Sequence, residues 1–145
     1  MEMEEQNAAG ATPQKLRQVD TIMVVDDDDN WIFVSKLILK KASVGNEIIT
    51  AKNGRDALSK LKAMATEGDQ KMPDLIFLDI RMPVLDGFEF LEEATQPDGL
   101  DFTRTRIYMC SSSLNPVDQA KASQFPVSGF LTKPLTQAAL QEILG

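Results

Sequence analysis

Five short apolar runs punctuate the chain, and each is followed by a stretch with helical spacing. The runs are Thr21–Val25, Glu47–Ala51, Leu75–Leu78, Arg106–Cys110 and Val127–Leu131. They are apolar almost throughout instead of alternating with polar residues, which marks strands buried on both faces. Parallel neighbours need crossover connections, and the intervening segments supply them as helices. The first is expected from Asn30 to about Ala42, with Trp31, Val34, Ile38 and Ala42 on one face. The second carries the stripe Ala57, Leu58, Leu61, Met64 and Ala65. The third follows Asp86-Gly87, with Phe88 and Leu91 inward and Glu89, Glu92 and Glu93 outward. Asn115 caps the fourth, with Pro116 at its first position and Asp118 in its first turn. Thr136–Leu144 is the fifth. Right-handed crossovers then give an α/β, doubly wound parallel sheet of five strands and five helices. Residues 1–20 lack apolar periodicity and read as a disordered N-terminal tail, with a weak helical tendency near Lys15–Val19, so the domain spans 21–145.

Composition closes off most chemistry. The 145 residues contain no His and one Cys, which removes His-based triads, zinc sites and internal disulfides. Fifteen basic against 22 acidic residues give a net charge of −7, which disfavours binding to a nucleic-acid backbone. The acidic start, Met1-Glu2-Met3-Glu4-Glu5, is the reverse of a signal peptide. No apolar run reaches the roughly 18 residues of a membrane span. A cytoplasmic location is therefore the expectation, with no membrane insertion and no nucleic-acid partner.

In open α/β sheets, ligands sit outside the carboxyl ends of the strands. There the first strand delivers Asp26 and Asp27, the third Asp79, the fourth Ser111 and the fifth Lys133. Three neighbouring carboxylates repel one another unless a cation joins them. Mg²⁺ is a suitable hard cation, since it takes one or two carboxylates plus waters and phosphate oxygens. An Asp beside such a cation can act as a nucleophile toward a phosphoryl group, and Lys133 and Ser111 could hold the phosphoryl oxygens.

Four segments carry a family resemblance: Val24-Val25-Asp26-Asp27, Asp74 to Gly87 (DLIFLDIRMPVLDG), Cys110-Ser111-Ser112 and Phe130-Leu131-Thr132-Lys133-Pro134. Together and in this order they resemble the receiver domain of bacterial two-component response regulators, from about Thr21 to the C-terminus. The resemblance implies the CheY-like, flavodoxin-like strand order 2-1-3-4-5. It implies that Asp79 is phosphorylated by a sensor histidine kinase or a His-containing phosphotransfer protein. Asp27, Asp79 and the Arg81 backbone carbonyl would ligate Mg²⁺, with Mn²⁺ able to substitute and Asp26 acting through a metal-bound water. Ser111 and Lys133 would bind the phosphoryl group, and the Lys133–Pro134 peptide would be cis. Ser111 would move toward the phosphate and Phe130 would rotate inward, altering the α4–β5–α5 face. Phe130 lacks the hydroxyl of the Tyr common at that position. Arg81 stands where side chains tune phosphate lifetime. Asn30, Trp31 and Val34 are candidates for kinase docking, against the alternative that the broadly apolar first helix is simply buried.

Other functions fit less well. An EF-hand fails because Trp31 replaces the required Gly and Leu37 the final Glu. A dehalogenase-type phosphatase needs a second Asp where Arg81 stands. No GxxxxGK[ST] loop occurs. Asp28 and Asp29 are expected to cap the first helix, and Cys110 to be core. The expectation is a phosphoacceptor signalling protein, not an enzyme, acting as a monomer or a phosphorylation-dependent dimer on an unknown downstream protein. A non-phosphorylated receiver-fold adapter is the alternative. The chain ends after the fifth helix, so output is expected through protein contacts or onward phosphotransfer, without an attached effector.

Overall fold

A computed structural model describes residues 19–66, 72–113 and 115–145. The elements alternate strictly: β1 (Thr21–Val25), α1 (Asp29–Lys41), β2 (Glu47–Ala51), α2 (Gly54–Thr66), β3 (Leu75–Asp79), α3 (Gly87–Ala94), β4 (Arg106–Ser111), α4 (Pro116–Ala122), β5 (Gly129–Thr132) and α5 (Gln137–Leu144). The strands form one parallel sheet in the order β2-β1-β3-β4-β5, as expected.

Strand periodicity divides the core in two. Met23, Val25, Ile76, Leu78, Ile107 and Met109 point to the side covered by Leu58 and Leu61 of α2, Phe88, Phe90 and Leu91 of α3, and Ala122 of α4. Ile22, Val24, Leu75, Phe77, Tyr108 and Cys110 point the other way, onto Ile32 and Leu39 of α1 and Leu140 and Leu144 of α5. Both faces are covered, which explains why the strands read as continuous apolar runs. Phe77 and Phe90 are among the largest fully buried side chains. Each contributes about 2–3 kcal/mol by leaving water.

Several expectations need correction. The buried face of α1 is Trp31, Ile32, Ser35 and Leu39, while Val34 is 39% exposed beside Phe33 and Leu37. An almost wholly apolar helix gives no polar side from which to read its phase. The sheet takes the face carrying the small Ser35 and leaves an apolar patch on the surface. Phe90, overlooked between Glu89 and Glu92, is fully buried. β5 begins at Gly129, because the Val127 N–H donates locally to the Phe125 carbonyl and Ser128 is the first residue to bond to β4's Ile107. Val19 and Asp20, the last residues of the expected tail, contact the sheet. Val19 packs in the core, and the Asp20 carbonyl accepts the N–H groups of Asn46 and Glu47. The rest of that segment and its helical tendency at 15–18 lie outside the described residues, as do residues 67–71 of the loop before β3.

Capping sets the helix starts on the site's side of the sheet. Asp28 caps α1, its Oδ1 accepting from the N–H groups of Asn30 and Trp31. Asp86 caps α3 in a reciprocal box with Glu89. Asn115 caps α4 and Thr136 caps α5.

Candidate functional site: an acidic pocket at the carboxyl ends of the strands

The register brings the polar strand ends together. β1 and β3 pair up to Val25 and Leu78, so Asp26 and Asp79 follow side by side. On the other side Asp79 pairs with Cys110 of β4. The Lys133 N–H continues the ladder past β5 by donating to the Ser111 carbonyl at 2.8 Å. The Lys133–Pro134 peptide is cis.

One carboxylate oxygen each from Asp26, Asp27 and Asp79 lies within 4.8 Å of the others. Asp26 and Asp79 are buried, whereas Asp27 is exposed. The Lys133 ammonium projects among them, 2.5 Å from Asp26 Oδ2 and 3.2 Å from Asp79 Oδ1. Asp26 Oδ1 accepts the Asp28 N–H at 2.9 Å, which ties the pocket to the start of α1.

The electrostatics follow from this crowding. Burial, with the charge of Asp26 next in weight, pushes the Asp79 carboxyl up to about 6, and the attraction of Lys133 offsets only part of this. Burial likewise raises Asp26, against its hydrogen bond to Lys133. Burial pulls Lys133 down, but its bonds and charge interactions with Asp26 and Asp79 outweigh that and hold the ammonium above its usual range. Cys110 lies just behind the pocket, and burial pushes its thiol up to about 12, so it is core and not a nucleophile.

A pocket of three converging carboxylates, two of them buried, beside one ammonium is short of positive charge. Three hard oxygen donors with one ammonium fit a small divalent cation such as Mg²⁺ or Mn²⁺. Softer metals find no imidazole in the chain, and the one thiol is buried.

The remaining candidates are placed as follows. The Ser111 hydroxyl is turned into its own loop, donating to the Ser113 carbonyl at 2.8 Å and accepting its N–H at 3.2 Å. Phe130 is half-buried against the core cluster that contains Met109. Arg81 follows Asp79 in the loop, and its guanidinium bonds Asp118 Oδ2 on α4 at 3.0 Å. Asn30 and Val34 lie at the surface, but Trp31 is only 8% exposed. The Trp31 ring lies 5.1 Å from the Lys133 ammonium. The sequence gives no sign of the Arg81–Asp118 pair. The place of Trp31 four residues after Asp27 is the hint in the sequence that it lies near the pocket.

The β3–α3 loop is tightly built. The Leu85 N–H donates to the Pro83 carbonyl at 2.8 Å across Val84, whose φ is +70°, a γ-turn with a β-branched centre. A Cβ on Gly87 would come within 2.5 Å of the Asp79 carbonyl oxygen, so this glycine lets α3 start directly against the strand end.

A parallel sheet in this order, with an acidic pocket and a lysine at its carboxyl edge, defines a receiver-type fold. The chain belongs to the response regulator receiver domain family, whose model matches residues 22–145. It is 35% identical over 124 residues to Protein PilG of Pseudomonas aeruginosa, covering 86% of this chain and 82% of that protein. Other curated relatives are longer: the chain spans 7% and 42% of two of them. A crystal structure of a two-component response regulator from Cytophaga hutchinsonii superposes with a TM-score of 0.79 at 32% identity, covering 88% of this chain and 95% of that one. The Mn²⁺-bound form of response regulator Rcp1 superposes at 0.66 and 26% identity, covering 86% and 88%. The protein is thus a CheY-like receiver domain of two-component signalling. No helix among the described residues is long and apolar enough to cross a membrane.

Proposed function

We propose that this receiver accepts a phosphoryl group on Asp79 from a sensor histidine kinase or a His-containing phosphotransfer protein, in a Mg²⁺-dependent reaction. The observation that carries this reading is the pocket itself, where a buried Asp79 lies 3.2 Å from the Lys133 ammonium and within reach of two further carboxylates. In the transfer, an Asp79 oxygen forms a bond to phosphorus as the phosphorus–nitrogen bond of the partner's phosphohistidine breaks. The electron pair of that bond stays on the imidazole. Asp79 must be ionised to attack. Asp27, Asp79 and the Arg81 carbonyl would hold the cation, with Asp26 acting through a water on it. The Mn²⁺ in the related Rcp1 structure supports such a role. Bound there, the cation supplies positive charge that ionises Asp79 and neutralises the incoming phosphoryl oxygens. Lys133 supplies a second positive group, and a turn of the Ser111 hydroxyl out of its loop would add a donor.

The signal then passes through β4, β5 and α4. Ser111 and Phe130 lie on paired strands, and their movement would alter the α4–β5–α5 face for a downstream protein. Kinase docking falls on the start of α1. Asn30 and Val34 remain its candidates, joined by exposed Phe33 and Leu37, while Trp31 offers little surface.

Incubation with Mg²⁺ and acetyl phosphate tests the reading. An intact-mass gain of one phosphoryl group, lost in Asp79→Asn, is expected. No gain from acetyl phosphate or from histidine kinases would refute it and favour a non-phosphorylated adapter.

A further inference from the structure

We propose that Trp31 is a positioning residue for Lys133: its indole face holds the ammonium at the pocket while the carboxylates beside it change partners. The proposal rests on the phosphoacceptor reading above and adds a residue to that site.

Among the described residues, three groups contact the Lys133 ammonium. Asp26 Oδ2 lies at 2.5 Å, Asp79 Oδ1 at 3.2 Å and the Trp31 ring centroid at 5.1 Å. The two carboxylates are also the groups on which a divalent cation and a phosphoryl group draw. When they are engaged there, both anionic contacts of Lys133 are rearranged, Asp26 being shared with a water on the cation and Asp79 with phosphorus. The indole face has no hard oxygen to offer a cation and no positive charge to offer a phosphate. It is the one contact of the three for which neither competes.

The ring is packed into the core. Trp31 is buried in the first turn of α1, and its backbone N–H donates to the capping carboxylate of Asp28 at 3.4 Å. The Asp28 N–H donates in turn to Asp26 Oδ1 at 2.9 Å. The cap therefore ties the backbone that carries Trp31 to the same carboxylate that Lys133 touches. The Lys133 side chain is only 19% exposed, so water screens the contact weakly. A partly desolvated ammonium over an indole face is favoured by a factor of roughly three to thirty. That biases a side chain with four rotatable bonds toward this arrangement.

The test uses Trp31→Leu, Trp31→Phe and Lys133→Met in the full chain. Phosphorylation by acetyl phosphate at saturating Mg²⁺ is timed by intact mass. Trp31→Leu is expected to slow it by roughly threefold to thirtyfold, and Trp31→Phe, which keeps an aromatic face, by a clearly smaller factor. In a Lys133→Met background, Trp31→Leu should have no further effect on the rate. A second arm needs no phosphoryl transfer: in EDTA, Trp31→Leu should lower the urea midpoint more when Lys133 is present than in Lys133→Met. Equal slowing by Leu and Phe, or an effect of Trp31→Leu undiminished by Lys133→Met in both arms, would overturn the proposal and leave Trp31 a packing residue. If the wild type takes no phosphoryl group while the EDTA arm shows coupling, the phosphoacceptor reading fails and the contact stands.

Discussion

Replacing Asp79 with Asn should make the cation-free protein more stable at neutral pH. Its carboxyl, ordinarily near 3.8, is raised to about 6 in the folded chain by burial, then by Asp26, and Lys133 does not cancel this. A folded value above the unfolded one means that the native state holds its proton more tightly. Between about pH 4 and pH 6 the folded chain therefore binds more protons than the unfolded chain, and stability falls as the pH rises. The difference of roughly two units corresponds to about 3 kcal/mol, fully expressed above pH 7 and absent below pH 4. Asp26 titrates with Asp79, so the slope belongs to the pair. Urea unfolding in EDTA from pH 4 to pH 8 measures this. At a slope of about 2 kcal/mol per molar, Asp79→Asn should raise the midpoint by roughly 1.5 M at pH 7.5 and by little at pH 4. Mg²⁺ at about 100 times its Kd should return about 2.7 kcal/mol to the wild type and much less to the variant. Equal midpoints for the two proteins at pH 7.5, or a gap independent of pH, would refute the reasoning.

Three other substitutions probe the frame of the site. The buried Ser35 hydroxyl has no hydrogen-bond partner among the described residues, so Ser35→Ala should stabilise by about 1 kcal/mol in chemical denaturation. Val84 is 75% exposed at φ +70°, so Val84→Gly removes strain without losing packing. It should raise stability by about 0.5–1 kcal/mol, and a loss would show that the turn is not strained. Gly87→Ala drives a Cβ to 2.5 Å from the Asp79 carbonyl oxygen, and should cost about 1–3 kcal/mol in thermal or urea unfolding and slow phosphorylation with it.

Local pattern carried much of this protein. Parallel strands buried on both faces must be apolar throughout, so their ends are abrupt, and Asp26, Asp79 and Ser111 stand out where the apolar runs stop. Cap chemistry is equally local, which is why Asp28 and Asn115 are legible from their neighbours. The α1 face was not. Trp31, Ile32, Phe33, Val34, Leu37, Ile38 and Leu39 cover most of the helix circumference, and only contact with the sheet chooses which of them is buried.

What the chain determines by itself is therefore the alternation of elements and the residue type at each strand end, because both depend on neighbours within a turn or a strand. What the tertiary structure decides is how those ends act on one another. Sheet order and register set Asp26 beside Asp79 and bring the ammonium of Lys133 between them; burial, then the charge of Asp26, raises the carboxyl of Asp79, and Lys133 offsets part of this. The same holds for Arg81 on Asp118 and Trp31 under Lys133, pairs whose members lie far apart in sequence. Charge and π interactions depend on distance and desolvation, and only the packed sheet supplies either.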